Sequence, residues 1–169
     1  KAVGHEGDVV GTDFCAEMIE HAPAKADKEN LVVTFEVADA MDLPYGDNTF
    51  DIASIAFGIR NVDDPLVCLK EMARVIKPGG GVVILEFGQP KGAVRIPYEI
   101  YSKHVMPAIG GFISGNREAY TYLPETSAKF PAGEKFLNLM EEADVFSKQR
   151  AVKLTGGISY IYVGTVKEN

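Results

Sequence analysis

Cysteine is scarce in this chain. Its two copies, Cys15 and Cys68, each sit inside a helical-looking apolar pattern, and neither belongs to a pair with metal or redox spacing. That excludes a disulfide scaffold and suits a reducing compartment, so the expected location is cytoplasmic. Long apolar runs are missing as well. The longest nearly uninterrupted one, residues 52–59, is less than half of the roughly 20 residues that a membrane-spanning helix needs. Positive charge is in deficit, with 17 Lys plus Arg against 24 Asp plus Glu and a net charge of −7. Such a surface repels a phosphate backbone, and nucleic acid is not expected as a partner. His5, His21 and His104 stand far apart without ligand partners in register, so no metal is implied. A nucleophile motif of the Gly-x-Ser-x-Gly kind is absent too, which suits direct transfer without a covalent enzyme intermediate. The chain starts at Lys1 with no charged-then-apolar leader, and a segment upstream of it is expected.

What is present is enough for one domain with a real core: 169 residues, 46% hydrophobic and 24% charged, with no internal repeat or low-complexity linker. Val9-Val10-Gly11-Thr12-Asp13 reads as the end of a short buried strand. A helix should follow, with Met18, Ile19 and Ala22 on one face and Pro23 kinking or stopping it. Residues 31–37 read as a second strand and 50–57 as a third. The third is nearly continuous in apolar character, which predicts burial on both faces as in a parallel sheet. Asp64 and Pro65 look like the N-cap and first residue of a helix carrying Leu66, Leu69, Met72, Ala73 and Ile76 at helical spacing. Lys77-Pro78-Gly79-Gly80-Gly81 ends that helix, and residues 82–87 form a fourth buried strand.

After Phe87 the rhythm breaks into a stretch punctuated by proline and rich in tyrosine, with Tyr98, Tyr101, His104, Pro107, Tyr120 and Tyr122. Residues 91–130 are expected to be an insertion that covers the substrate within a single domain, 1–169. Pro131 should open another helix, with Phe136, Met140 and Ala143 inward. Residues 146–154 and 159–166 alternate in character around Thr155-Gly156-Gly157 and predict an antiparallel hairpin. Strands alternating with helices argue for an open α/β sheet with right-handed crossovers. In such sheets the ligand crevice lies at the carboxyl ends of the strands. Asp13 stands at one such end, either accepting the hydroxyls of a ribose or capping the helix that follows.

Several runs then occur in one order: Thr12-Asp13-Phe14, Ala38-Asp39-Ala40 with Leu43-Pro44-Tyr45, Asp47-Asn48-Thr49-Phe50-Asp51, Phe57-Gly58-Ile59-Arg60-Asn61-Val62 and Lys77-Pro78-Gly79-Gly80. Leu85-Glu86-Phe87 with Pro90, the run from Tyr101-Ser102 to Pro107 with Ile109-Gly110, and Tyr120-Thr121-Tyr122-Leu123 complete the set. Together they resemble the ubiquinone/menaquinone biosynthesis C-methyltransferase family, enzymes that use S-adenosylmethionine. The resemblance covers almost the whole chain. It implies a doubly wound, Rossmann-like methyltransferase sheet ending in an antiparallel hairpin. It also implies that the first strand, with its glycine-rich cofactor loop, precedes Lys1. The sheet order of this chain would then have a gap beside the strand ending at Asp13.

The resemblance implies C-methylation of a prenylated quinol ring, with S-adenosylmethionine as the cofactor. Asp13 would hold the ribose, and Phe14 with Met18 would flank the adenine or belong to the core. Asp39-Ala40 would read the exocyclic amine of the adenine, unless Asp39 only caps its turn. Ala56 stands where the family more often has a serine, so a cofactor contact there would be through the backbone. Arg60 and Asn61 would orient the substrate and stabilise its phenolate, the alternative for Arg60 being a surface pair with Asp63 or Asp64. His104 would act as the base for a hydroquinone proton, or would cap a helix end. Tyr98, Tyr101, Tyr120 and Tyr122 would line a pocket for the ring or its tail, half of them doing no more than filling core. A lipophilic substrate implies peripheral membrane contact through residues 95–112, and self-association is a further expectation. Two competing readings share these residues: a catalytically silent methyltransferase-like binding or scaffold module, and an NAD-dependent oxidoreductase, which would place an acid where Asp13 stands.

Overall fold

The computed structural model of the chain describes residues 3–4, 7–101 and 130–168. Strand β1 (Val10–Asp13), helix α1 (Ala16–Lys28) and strand β2 (Thr34–Val37) come first, and the two strands pair in parallel, from Val10 opposite Thr34 to Asp13 opposite Val37. Strand β3 (Phe50–Ala56), helix α2 (Pro65–Arg74) and strand β4 (Ile76–Phe87) form a second parallel crossover. The short helix α3 (Arg95–Ile100) follows, and helix α4 (Glu134–Ala143) leads into the antiparallel pair β5 (Phe146–Leu154) and β6 (Ser159–Val166). Strand β6 inserts antiparallel beside β4, so the larger sheet has the order β3-β4-β6-β5.

Among the described residues the two sheets share no ladder. β1 has β2 as its strand neighbour and β3 has β4, so each leaves one edge unpaired. This interruption matches the gap expected beside the strand ending at Asp13. It also explains a departure from expectation: β3 is not buried on both faces. Ile52 is 67% exposed, and Asp51, Ser54 and Ala56 are exposed too, since among the described residues no strand pairs along that edge.

Pro23 does not stop α1. The helix runs through it to Lys28, losing one backbone donor, while the proline φ stays compatible with helix. Only Ala26 of this helix is buried. β2 is shorter than expected, since regular pairing begins at Thr34, whose N–H donates to the Val9 carbonyl at 3.0 Å. β4 starts earlier, at Ile76, which pairs with Phe50 before a bulge brings Gly81 opposite Ile52. Ile76 is therefore a strand residue rather than the last turn of α2. Glycine is required at position 80, where a Cβ would lie 2.6 Å from the Asp51 carbonyl oxygen.

The core forms between the larger sheet and the two helices that pack on it. Cys68, Leu69, Met72 and Ala73 of α2 and Phe136, Met140 and Ala143 of α4 meet Ile76, Val82, Ile84 and Tyr162 of the strands. The Phe136 and Tyr162 rings lie 4.4 Å apart. Burying each large apolar side chain here contributes about 1.5–3 kcal/mol. Asp64 caps α2 as its position predicts, its carboxylate accepting from the N–H groups of Leu66 at 2.8 Å and Val67 at 3.3 Å. Helix α4 starts at Glu134 instead of Pro131, because Gly133 takes a left-handed φ of 64° and gives its N–H to the Tyr162 hydroxyl at 2.7 Å. The hairpin is found where it was expected.

Candidate functional site at the carboxyl edge of the sheets

Parallel pairing sets the ends of β1 and β2 side by side, and the Ala38 N–H donates to the Asp13 carbonyl at 3.1 Å. Asp13 and Asp39 thus come to one edge. One Asp13 carboxylate oxygen accepts from the Cys15 N–H at 2.8 Å, which turns the chain into α1, and the other has no partner among the described residues. Asp13 therefore shapes the turn ahead of the helix without capping it, the N-cap being Cys15 with no side-chain cap bond, and one oxygen is left for a ligand hydroxyl. Phe14 is 78% exposed and Met18 55% exposed, so the core alternative for these two is overturned. Their apolar surfaces flank the exposed Asp13. Asp39 accepts from the Met41 N–H at 2.8 Å and shapes the turn, while Ala40 packs partly buried against the core.

The loop after β2 is anchored from below. Glu71 accepts from the Leu43 N–H at 2.8 Å and from Arg74 Nε at 2.8 Å and Nη2 at 2.6 Å. Arg74 in turn donates to the carbonyls of Tyr45 at 2.8 Å and Leu43 at 3.1 Å, and pairs with Asp47 at 2.7 Å. The Arg74 guanidinium holds the Glu71 carboxyl below the usual carboxylate range. Tyr45 donates to Glu36 on β2 at 2.9 Å, and burial together with that carboxylate pushes the phenol up to about 12. Beneath this loop the Cys68 thiol is pushed up to about 11 by burial and by the charges of Asp39 and Glu71, which makes it a poor nucleophile at neutral pH.

Ala56, exposed, is the last residue of β3. The next residue, Phe57, has a φ of 55°, a conformation that costs a bulky side chain about 1–3 kcal/mol and clusters at functional sites. Its N–H still donates to the Leu85 carbonyl at 2.8 Å, and its ring lies 4.4 Å from that of Phe87. This turn throws the chain into a 3-10 turn, Ile59–Asn61. There Arg60 points back at β4. Its Nη1 lies 3.0 Å from Glu86 Oε1 and also donates to the Phe57 carbonyl, and the guanidinium carbon sits 5.3 Å from the Phe87 ring centroid. The Arg60 side chain is 9% exposed and that of Glu86 is 0% exposed. The surface pairing with Asp63 or Asp64 is overturned: Asp64 caps α2, and the partner of Arg60 is a buried carboxylate. Asn61 is exposed beside it, its N–H donating to the Gly58 carbonyl at 2.9 Å.

His104, Tyr120 and Tyr122 lie outside the described residues, as does most of the 91–130 stretch. Tyr98 is partly buried, which raises its phenol above the ordinary value, and Tyr101 is 50% exposed. Glu86, Glu71 and Arg74 went unassigned in the sequence. A charge between Leu85 and Phe87 at the end of a buried strand was the available signal for Glu86. One cavity, about 310 Å³ and lined by Asp47, Lys70, Arg74, Pro78, Asp144 and Lys167, lies at the opposite, amino ends of the parallel strands. Two of its three cations are already paired, Arg74 with Asp47 and Lys167 with Asp144, and it is shallow and open, so the chemistry is better sought at the carboxyl edge.

A family model described as the ubiE/COQ5 methyltransferase family matches residues 1–166. The chain belongs to that family. It is 55% identical to the ubiquinone/menaquinone biosynthesis C-methyltransferase UbiE of Bdellovibrio bacteriovorus, over 99% of this chain and 71% of that protein. It is 44% identical to the demethylmenaquinone methyltransferase of Staphylococcus aureus, over 97% of this chain and 68% of that one. Among solved structures, a SAM-dependent methyltransferase from Thermotoga maritima superposes with a TM-score of 0.65 at 22% identity, covering 93% of this chain and 72% of its own. The [4+2]-cyclase SpnF superposes almost as well, with a TM-score of 0.64 at 16% identity over 96% of this chain and 67% of its own. At such identities the likeness establishes the ubiE/COQ5 chain's fold alone.

Proposed function

We propose that this chain carries the site for methylating a ring carbon of a prenylated quinol, a demethylmenaquinol or ubiquinol precursor, with S-adenosylmethionine as methyl donor. Family membership supports the reaction class. The observation that carries it to particular residues is Arg60: a guanidinium at the carboxyl edge, nearly buried, whose Nε has no hydrogen-bond partner among the described residues.

The residues present fit the cofactor. A carboxylate with a free oxygen at Asp13, the exposed apolar surfaces of Phe14 and Met18, and the turn at Asp39-Ala40 are what the hydroxyls and flat base of an adenosine require. Ala56 would contribute its backbone. When bound, S-adenosylmethionine supplies an electrophilic methyl group on a sulfonium. The ring carbon of a quinol attacks such a group only when an adjacent hydroxyl is at least partly deprotonated. Arg60 supplies positive charge and an unspent N–H donor for that oxygen, beside the Phe87 ring and nearly closed off from water, where a donor of this kind counts for most. Asn61 would add an amide beside it. His104 is the candidate acceptor of the hydroxyl proton. Tyr98 and Tyr101 flank the approach for the ring or its tail, and Ile96 and Ile100, 66% and 55% exposed and one helical turn apart on α3, favour contact with a lipid surface.

The test is methylation of demethylmenaquinol in detergent micelles, with the product identified by mass spectrometry. Arg60→Ala should abolish it in protein that still folds, and undiminished turnover would remove Arg60 from the mechanism. The unpaired edges of β1 and β3 favour a second reading, a silent module that docks a partner there. Failure of the folded chain to bind S-adenosylhomocysteine would favour that one.

A further inference from the structure

We propose that Glu86 is a positioning residue of the methyl-transfer site: it locks one edge of the Arg60 guanidinium so that the Nε–H stays free for the ring oxygen of the substrate. The inference rests on the quinol-methylating reading of this edge.

Among the described residues Glu86 is the one charged residue in the fully buried core, at the end of β4 between Leu85 and Phe87. Burying a carboxylate this completely is costly unless every lone pair is used, and Glu86 is well supplied. Oε1 accepts from Arg60 Nη1 at 3.0 Å and from the Phe87 N–H at 2.8 Å, and Oε2 accepts from the Arg60 N–H at 3.4 Å. The same side chain thus grips both the backbone and the head of Arg60. The Phe57 carbonyl, turned by the strained φ of that residue, takes a second bond from Nη1. The Phe87 ring lies beneath the guanidinium.

A purely structural ion pair would match the buried donors of the guanidinium with acceptors, since a buried N–H without an acceptor is unfavourable. Here Arg60 Nε is buried and has no partner among the described residues. The guanidinium is rigid and planar, so fixing Nη1 fixes the direction of the Nε–H as well. Glu86, the Phe57 carbonyl and the Phe87 ring hold a charged donor ready, and the group that satisfies it is an oxygen with partial negative charge on an aromatic ring. Glu86 need not touch that ring to matter.

The probe is 1-naphthol, a quinol-like phenol whose absorbance distinguishes the bound naphtholate from the neutral form at one fixed pH. Glu86→Gln should weaken naphthol binding by about 10- to 100-fold, the worth of one well-placed charge-assisted hydrogen bond, and reduce the bound naphtholate fraction. The affinity for S-adenosylhomocysteine should stay within about twofold of wild type, because the Asp13 end of the site is untouched. Turnover should fall in kcat with the KM for S-adenosylmethionine unchanged. Glu86→Asp, which keeps the charge on a shorter stem, should restore part of the naphthol affinity. It is also the deciding variant if Glu86→Gln does not fold: wild-type naphthol binding in folded Glu86→Asp overturns the proposal. Loss of naphthol binding in Arg60→Ala but not in Glu86→Gln overturns it while leaving the quinol site standing. Absence of naphthol binding by the folded wild-type chain overturns the reading of the site, and this inference with it.

Discussion

Replacing Glu71 by glutamine tests the reasoning about the loop after β2 most directly, because the side chains are nearly the same shape and the charge is removed. Glu71 accepts three hydrogen bonds, two from Arg74 and one from the Leu43 N–H, with its own side chain only 14% exposed. Glutamine keeps one acceptor oxygen and puts an NH₂ where the second stood, facing a guanidinium. At least one charge-assisted bond is lost, and the expected cost is about 2–3 kcal/mol. For a domain of this size that corresponds to a fall in Tm of roughly 4–12 °C at pH 7.

The pH dependence carries its own sign. The Glu71 carboxyl is held below its ordinary value, so the folded state binds its proton less readily than the unfolded state does. Its contribution is then complete above the unfolded value near 4.3 and is lost as the pH falls through the lower folded value. Thermal unfolding of wild type and Glu71→Gln, followed by circular dichroism from pH 7 down to pH 3, should give two curves that converge on the acid side. A Tm difference below about 1 °C at pH 7, or a constant difference across the range, would refute the anchoring role given to this pair. The S-adenosylhomocysteine affinity of the variant should fall as well, since Leu43 and Tyr45 belong to the loop that carries Asp39 and Ala40.

Asp13→Asn retains an acceptor for the Cys15 N–H and should leave Tm nearly unchanged, yet weaken S-adenosylhomocysteine binding by about 10- to 100-fold in calorimetric titration; unchanged affinity would remove the ribose role. Tyr162→Phe strands the partly buried Gly133 N–H and should cost about 1–3 kcal/mol in urea unfolding, and a neutral result would mean that water or another acceptor takes its place. Liposomes of anionic lipid should carry the chain upward in flotation, and Ile96→Asp with Ile100→Asp should abolish this; flotation that survives both changes would place the membrane contact elsewhere.

Much of this protein was legible before its structure. Asp64-Pro65 starts α2 because capping chemistry is local, and the hairpin around Thr155-Gly156-Gly157 was legible for the same reason. The ordered motifs pointed to the family, since each run is contiguous in sequence. Element limits that depend on pairing were less visible: Ile76 looks like the last turn of a helix until Phe50 lies beside it, and β3 looks doubly buried until its free edge is seen. Pro23 marks a helix end by propensity, yet α1 tolerates the loss of one hydrogen bond.

The candidate site divides along the same line. Position at the carboxyl end of a strand singled out Asp13, and the resemblance to the family singled out Asp39 and Arg60. What Arg60 does was beyond sequence. Its neighbours in the chain, Asp63 and Asp64, were the natural partners by proximity, and its actual partner is Glu86, 26 positions away. Only the parallel pairing of β3 with β4 brings those two together, and only the enclosure of both explains why a carboxylate and a guanidinium meet while the buried Nε donor has no partner among the described residues. Local chemistry can be read along a chain, whereas burial, and with it the strength of every charge in the site, exists only once distant segments have folded around it.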